Sequence, residues 1–420
     1  MEFQCILHLH TLKNVLEEPI ILVRNISCLG GIFMKEIRLG IVGMGVQGSL
    51  YANILTGTPI PYMPPIKKPE GCLLTAVSSR SEQAKEFVSH LPDVTYFSDW
   101  KEMIDSGLCD AIVITVPHFL HHDVTIYALE AGLHVLCEKP ADVRASDVEK
   151  MLSAQKAAEK KLTLATLFNQ RTNPLFRRLK ELITSGEFGE MRRVNWICNN
   201  WWRPDSYYQS NAWRGTWNGE GGGITVNQIP HQLDLLNMLC GTPTRVYSIN
   251  RYGCHRDITV ENDVTISMEY PNGATGVFVA CTHDPLGTDR LELDFDKGKV
   301  VVENSTHATI YRFNQTEQEW NASLSMRDLM MMRQNPDNLY SVEEINVTLT
   351  YGTEYVDIFE NFVNNILHGE PLFATMEDGL NEVALANSIQ LSGLTKQPVD
   401  TPCSEEEYNS WLEKMMKEEK

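Results

Sequence analysis

Long apolar runs are missing from this chain. No stretch of about 18 consecutive apolar residues, the length a helix needs to cross a bilayer, occurs in its 420 residues. A transmembrane anchor is therefore not expected. Ordered cysteines are missing as well. Ten are scattered from Cys5 to Cys403, with no C-x-x-C pair and no Cys/His run at zinc-finger spacing. That excludes a local zinc module. A chain this long needs no disulfide framework, so free thiols in a reducing cytoplasm are the expectation. Basic charge is short: 36 Lys and Arg stand against 55 Asp and Glu, a formal net charge of -19. So acidic a surface repels nucleic acid and anionic lipid, and neither is an expected partner. A local basic pocket for one phosphate remains compatible with it. No internal repeat is visible.

What is present is a hydrophobic content of 43%, enough for two domains, each with its own core. Residues 1–33 have apolar stretches but lack the ordered regions of a signal peptide, and Glu17 and Glu18 precede the apolar run at 19–23. They read as a disordered or non-native extension, with Met34 as the natural start. Residues 34–168 read as a first domain. Within them, apolar runs at 37–42, 72–77, 111–116, 134–137 and 162–168 alternate with helical stretches. Alternation of this kind predicts a doubly wound parallel sheet, an α/β fold. Residues 56–71, with five prolines, must form a loop. Ser98 is expected to cap one helix, Gly132 to close another, and Ser146-x-x-Glu149 to form a capping box.

After Arg171 the texture changes. Helices are predicted over 174–184 and 225–239, flanking an aromatic-rich loop. Runs with strand alternation follow at 245–251, 263–270, 274–280, 290–295 and 299–303, with Pro271-Asn272-Gly273 as a hairpin turn. Residues 355–367 and 377–390 read as closing helices. Residues 169–420 are thus expected to form an α+β domain on an open, mostly antiparallel sheet.

Gly43-Met44-Gly45-Val46-Gln47-Gly48 follows the first apolar run and opens a helix. A G-x-G-x-x-G is weak evidence alone, but this strand–turn–helix context is what a dinucleotide pyrophosphate requires. Gly43 makes the tight turn, Gly45 admits the pyrophosphate and Gly48 allows close packing. The second strand lacks the terminal Asp or Glu that would accept from a ribose 2′-hydroxyl. Ser78-Ser79-Arg80 stands there instead, which suits a 2′-phosphate and leans toward NADP over NAD. The plainer alternative is a solvated Arg80 at a helix start.

Glu138-Lys139-Pro140 falls at the end of a parallel strand, where such sheets hold ligands. Lys139 there can hold a substrate oxygen or share in proton transfer; the plainer alternative is a surface lysine. Gly221-Gly222-Gly223 leads into a helix carrying Asn227, His231 and Asp234 at i, i+4 and i+7, on one face. A helix histidine is more often structural than catalytic, yet its ordinary pKa suits proton transfer at neutral pH. Asp234 reads as a buried supporting or capping group.

Together these residues resemble the Gfo/Idh/MocA family of oxidoreductases. The resemblance runs from about Ile37 to the C-terminus. It rests on Gly43-x-Gly45-x-x-Gly48, Pro117-His118-x-x-His121, Ala131-Gly132-x-His134-Val135-x-x-Glu138-Lys139-Pro140, and Asn169-x-Arg171. It continues through Gly221-Gly222-Gly223, His231-x-x-Asp234 and the helix from Phe362 to Gly369. It implies a Rossmann domain followed by a domain whose open sheet pairs subunits, so a homodimer or homotetramer is expected. It implies NAD or NADP, held by Gly43, Gly45, Val46, Gln47, Gly48, Ser79, Arg80, Pro117, His121, Glu138 and Lys139. It also implies sugar, cyclitol or glycoside substrates, with Lys139 and His231 as the catalytic pair.

One departure matters. Inositol dehydrogenase-like members usually have Asp where this chain has Asn227, and an amide cannot take a proton. An Asp–His–Lys relay is therefore unavailable. The loop Asn199-Asn200-Trp201-Trp202-Arg203-Pro204-Asp205-Ser206-Tyr207-Tyr208, with Trp213-Arg214 beyond it, reads as a substrate wall or as a packing loop. The expectation is hydride transfer between a carbinol carbon and nicotinamide, needing no metal. His231 acts as base, Lys139 holds the oxygen, and Asn227, Asn169, Arg171, Trp202 and Arg214 bind substrate. An NAD-dependent glycosidase of the same fold, a sugar-sensing regulator without turnover, and a dehydrogenase of smaller aldehydes or diols stand as alternatives.

Overall fold

The structure, a computed structural model, describes residues 36–61, 63–334 and 339–419. The expectation for residues 1–33 lies outside them. Six strands form a first sheet: β1 (Ile37–Val42), β2 (Cys72–Ser78), β3 (Thr95–Phe97), β4 (Ala111–Ile114), β5 (His134–Cys137) and β6 (Leu164–Thr166). Their order is β3-β2-β1-β4-β5-β6, and every pairing is parallel. The order reverses between β1 and β4, and the crevice past their ends is where such sheets hold ligands.

The sequence of β4, Ala-Ile-Val-Ile, is buried throughout. Ala111 and Val113 enter one apolar cluster, Ile112 and Ile114 the other. The period of two sends alternate side chains to opposite faces, and helices cover both. Each such fully buried aliphatic side chain contributes about 1.5–3 kcal/mol.

Nine strands form the second sheet: β7 (Met191–Cys198), β8 (Arg245–Tyr252), β9 (Glu261–Glu269), β10 (Thr275–Cys281), β11 (Asp289–Phe295), β12 (Gly298–Glu303), β13 (His307–Phe313), β14 (Tyr340–Asn346) and β15 (Val399–Asp400). The order is β14-β13-β12-β11-β7-β10-β9-β8-β15. Only β7 and β10 pair in parallel. One face packs Val264, Ile266, Phe278 and Leu291 against Leu175, Leu233 and Leu385 of the covering helices. The hairpin at Pro271-Asn272-Gly273 joins β9 and β10, with Gly273 at φ +81°.

Three local expectations are corrected. Asp99, not Ser98, caps the helix Trp100–Asp105, its carboxylate accepting from Lys101 N at 2.8 Å. No capping box forms at Ser146 and Glu149, because the helix already begins at Ala145, with Arg144 before it. The stretch 225–239 is two helices, Ile224–Asn227 and Pro230–Cys240. Pro230 has no N–H to donate and restrains Ile229, so the chain breaks and restarts with the proline in the first turn.

Two closing helices tie the sheets together. Helix Thr353–His368 returns to the first sheet, where Tyr355, Phe359 and Phe362 join its core and Tyr51 packs against Tyr355 and Phe359. Helix Met376–Thr395 sends Met376 and Val383 into the first sheet's core and Leu385 and Ile389 into the second's. Among the described residues, no helix is long and apolar enough to cross a membrane.

Candidate active site

β1 runs into Gly43 at φ +101°, where a side-chain carbon would meet Thr115's carbonyl at 2.9 Å. At Gly48 such a carbon would fall 2.1 Å from Gly43 O, so only glycine lets helix and strand approach this closely. Gly45 has nothing within 4 Å of that position. Its backbone is open to a ligand, and helix Val46–Thr56 starts there with no acidic residue in its first turn. Unpaired N–H groups at that end favour an anion, so this cradle fits a dinucleotide pyrophosphate. Val46 is exposed and Gln47 lines the cavity described below.

Beyond β2, Ser79 Oγ accepts from Ser81 N at 3.2 Å. Arg80 is exposed and forms no ion pair among the described residues. Pro117 is exposed after β4. His121 is buried, with Nδ1 2.9 Å from Pro140 O and Nε2 2.9 Å from Val116 O. Both ring nitrogens are occupied within the protein, so His121 braces the turn around Lys139 and offers no polar atom to a cofactor. Glu138 is likewise committed. Tyr51 Oη donates to one oxygen and Lys139 N to the other at 2.8 Å, and burial pushes its carboxyl upward.

Lys139 and His231, 92 positions apart in sequence, line one cavity of about 770 Å³. That volume suits a small polar substrate beside a ring. Asn169, Gln170, Trp201, Arg203 and Asn227 share its wall. Lys139 Nζ donates to Asn227 O at 2.7 Å and lies 3.5 Å from Asn227 Oδ1. Burial lowers the Lys139 pKa against the opposing pull of Glu138. Burial, and then the Lys139 charge, push His231 well below its ordinary value. His231 is therefore neutral at physiological pH and able to accept a proton. Its Nδ1 and Asn169 Oδ1 are buried without a partner among the described residues, two polar atoms on a ligand-sized cavity. The broken helix means that Asn227 and His231 meet across a turn, not along one helical face.

Sequence reasoning missed the group behind Asn227. Glu220 is 1% exposed and accepts from Asn227 Nδ2 and, at 2.7 Å, from Gly215 N. Burial raises its pKa to about 7. Its place just before the triple glycine was the available signal. Tyr207 Oη receives Arg214 at 2.5 Å, Asn227 Nδ2 at 3.2 Å and Gln228 Nε2 at 3.3 Å. With its lone pairs so engaged, its own proton is left to donate. Arg214 stands off the cavity wall, stacked on Tyr207, its guanidinium carbon 4.3 Å from the ring centre.

Arg171 and Trp202, like Arg214, are expected substrate residues that the structure places off the cavity wall. Arg171 is buried: Nε and Nη2 clamp Asp234 at 2.7 and 2.6 Å, Nη2 reaches Asp378 at 2.9 Å and Nη1 donates to Phe373 O at 2.9 Å. Four of its five N–H donors are engaged within the protein, so Arg171 reads as a clamp between helices. Trp202 is 44% exposed and lies off the cavity, while its neighbours Trp201 and Arg203 line it. Sequence alternation could not say which of two adjacent tryptophans turns inward.

A glycine cradle at a sheet's reversal point, facing a lysine and a histidine, defines the nicotinamide-dinucleotide oxidoreductases as a class. Residues 37–166 match the family described as the oxidoreductase family with NAD-binding Rossmann fold, and residues 176–301 match the Gfo/Idh/MocA C-terminal domain. The chain belongs to the Gfo/Idh/MocA oxidoreductases. It is similar to the myo-inositol 2-dehydrogenase of Thermotoga maritima, 23% identical over 86% of this chain and 98% of that one. It is also similar to an NADP(+)-dependent scyllo-inositol 2-dehydrogenase of Bacillus subtilis, 21% identical over 87% and 96%. In fold it resembles the WlbA dehydrogenase of Bordetella pertussis, solved with NADH and UDP-GlcNAcA. The TM-score is 0.72 at 23% identity, covering 89% of this chain and 100% of that one.

Proposed function

We propose that this chain oxidises, reversibly, a hydroxyl-bearing carbon of a sugar, cyclitol or glycoside, with residues 34–168 holding NADP or NAD and residues 169–420 the substrate. The observation that carries this reading is the convergence of Lys139 and His231 on one cavity with orphaned polar atoms at His231 and Asn169. Relatives that act on inositols support the substrate class.

When bound, the dinucleotide supplies the hydride acceptor or donor. The protein's own residues handle position and proton. His231, neutral through burial, takes the hydroxyl proton. Lys139 Nζ has three N–H donors, and with Asn227 O using one it can still hydrogen-bond the same oxygen as negative charge develops. Tyr207 Oη donates to a neighbouring hydroxyl, and Asn169 Oδ1 accepts from another. Asn227 orients Lys139 and takes no proton.

Supporting a reducing, cytoplasmic setting, all eight described cysteines are unpaired. The outer face of the second sheet exposes Ile197, Tyr247, Ile249 and Val342, which fits pairing with a second copy. Light scattering after gel filtration tests that pairing.

The function itself is tested by following reduced cofactor while a panel of inositols, aldoses, anhydrosugars and glycosides is supplied with NADP or NAD. Turnover on at least one polyol, lost in His231→Ala and in Lys139→Met, is the expected result. Tight cofactor binding with no turnover on any member, or equal turnover in both variants, overturns the assignment.

A further inference from the structure

Far along the chain from the cofactor cradle, Cys254, Asp263 and His283 converge. Cys254 lies in the turn after β8, Asp263 on β9 and His283 just beyond β10. One ligand atom from each lies within 4.8 Å of the other two, and all three residues are half-buried. His283 Nε2 is 2.8 Å from Asp263 Oδ2. A thiol, an imidazole and a carboxylate are the donor types that hold zinc, and three protein ligands with one open position are a usual zinc arrangement.

The surroundings hold this set in place. The N–H of Cys254 donates to Asn262 Oδ1 at 2.7 Å, and Asn262 Nδ2 donates back to Cys254 O at 2.8 Å. The turn is thereby locked with the thiol toward Asp263. His255, a non-glycine residue at φ +57°, sets its ring edge-on against His283 at 5.2 Å between centroids. That edge contact packs the His255 ring against the His283 imidazole. The second acidic-and-histidine cluster, His122, Asp142 and Asp147, is different. Lys150 Nζ sits 2.7 Å from Asp147 and Arg144 3.6 Å from it, so cations of the protein already balance its charge. Among the described residues, Asp263 forms an ion pair with His283 and with no lysine or arginine, although Arg251 is its cross-strand neighbour.

We propose that Cys254, Asp263 and His283 form a binding site for a zinc-class divalent cation, with water in the fourth position. On binding, the Cys254 thiol loses its proton to solvent, the proton on His283 Nε2 moves to Nδ1, and the hydrogen bond between His283 and Asp263 is replaced by two metal bonds. Thr282, next to His283, accepts Arg203 N on its carbonyl at 2.9 Å and Tyr208 Oη on its hydroxyl at 3.0 Å. An ion here therefore pins the strand end from which the loop carrying Trp201, Arg203 and Tyr207 is hung.

The test uses the full chain, stripped with a chelator, dialysed and titrated with Zn²⁺ by calorimetry and with Co²⁺ by absorbance. One equivalent per chain is expected, together with a thiolate-to-cobalt charge-transfer band. That band should vanish in Cys254→Ser and survive in Cys403→Ser. Zinc affinity should fall at least tenfold in His283→Gln and stay unchanged in His122→Gln. Absence of stoichiometric binding to the wild-type chain overturns the proposal, whatever the variants do. So does a cobalt band that persists in folded Cys254→Ser, which places the metal on another thiol.

Discussion

The ammonium of Lys139 donates to the backbone carbonyl of Asn227 at 2.7 Å, while Asn227's side-chain amide is turned by Glu220. Because Glu220 accepts from Nδ2, Oδ1 is the end left facing Lys139, at 3.5 Å. A residue unable to carry a proton thus still sets the position of one that can.

The turnover experiment on the catalytic pair has a pH dimension. Burial lowers both Lys139 and His231. A His231 base already neutral well below pH 6.5 leaves no histidine limb near neutrality. The expected kcat/KM profile for oxidation carries no histidine limb where an unperturbed imidazole titrates; the shallow limb expected near 7 belongs to Glu220 and persists in His231→Ala. His231→Ala and Lys139→Met should each cost roughly 10²–10⁴-fold in kcat. An inflection near 6.5 that disappears in His231→Ala would show that the imidazole titrates normally and contradict the burial argument.

Glu220→Gln separates positioning from packing. The glutamine side chain can still accept from Gly215 N, but it no longer dictates which end of the Asn227 amide faces Lys139. The expected loss is in kcat more than in KM, about tenfold, with partial rescue by Glu220→Asp. Stability supplies a second readout. The folded pKa of about 7 lies above the ordinary 4.5, so protonated Glu220 contributes stability that is fully present below about pH 4.5 and lost as pH rises through 7. Relative to wild type, Glu220→Gln should therefore gain in Tm between pH 5 and pH 8. Melting curves that run parallel across that range would remove Glu220 from both roles.

Much of this was legible locally. The run at 37–42, the spacing of Gly43, Gly45 and Gly48, and Glu138-Lys139-Pro140 each carry their reason within a few residues. Lys139 and His231 could be named for the same cause, although their convergence could not. What stayed hidden depends on partners distant in sequence. Arg171 reads as a substrate ligand until Asp234 and Asp378 are seen to absorb its donors. Glu220 matters only because a buried amide stands against it. Cys254, Asp263 and His283 follow no spacing motif, since β8, β9 and β10 bring them together. The break at Pro230 was legible in principle: the proline interrupts a helical pattern that the leucines beyond it continue.

Cofactor choice turns on Arg80. Its side chain is exposed at the end of β2, where Ser78-Ser79-Arg80 takes the place of a terminal carboxylate that would repel a 2′-phosphate. NADP should bind more tightly than NAD to the full chain, by fluorescence titration. Arg80→Ala should weaken NADP by roughly 10- to 100-fold, the size of a lost charge-assisted hydrogen bond, and leave NAD within about twofold. Equal affinities for the two dinucleotides in the wild type would show that Arg80 is a solvated residue at a helix start.

Asp234 gives the sharpest stability prediction. It is 1% exposed and receives two hydrogen bonds from Arg171, itself 8% exposed. Removing the carboxylate leaves a buried cation with only Asp378 and a carbonyl for company. Asp234→Ala should therefore cost about 3–5 kcal/mol in denaturant unfolding, as a broken buried pair does. Arg171→Met combined with Asp234→Leu removes both charges, and should lie closer to wild type than either single variant. The pairing also bears on function. If Arg171 only ties helix Pro230–Cys240 to its neighbours, the double variant, assayed well below its melting point, keeps its substrate KM within about twofold. Had Arg171 instead been a substrate ligand, KM would rise tenfold or more in every variant lacking it, however stable. Stability and KM thus move independently only if the guanidinium is a clamp between helices.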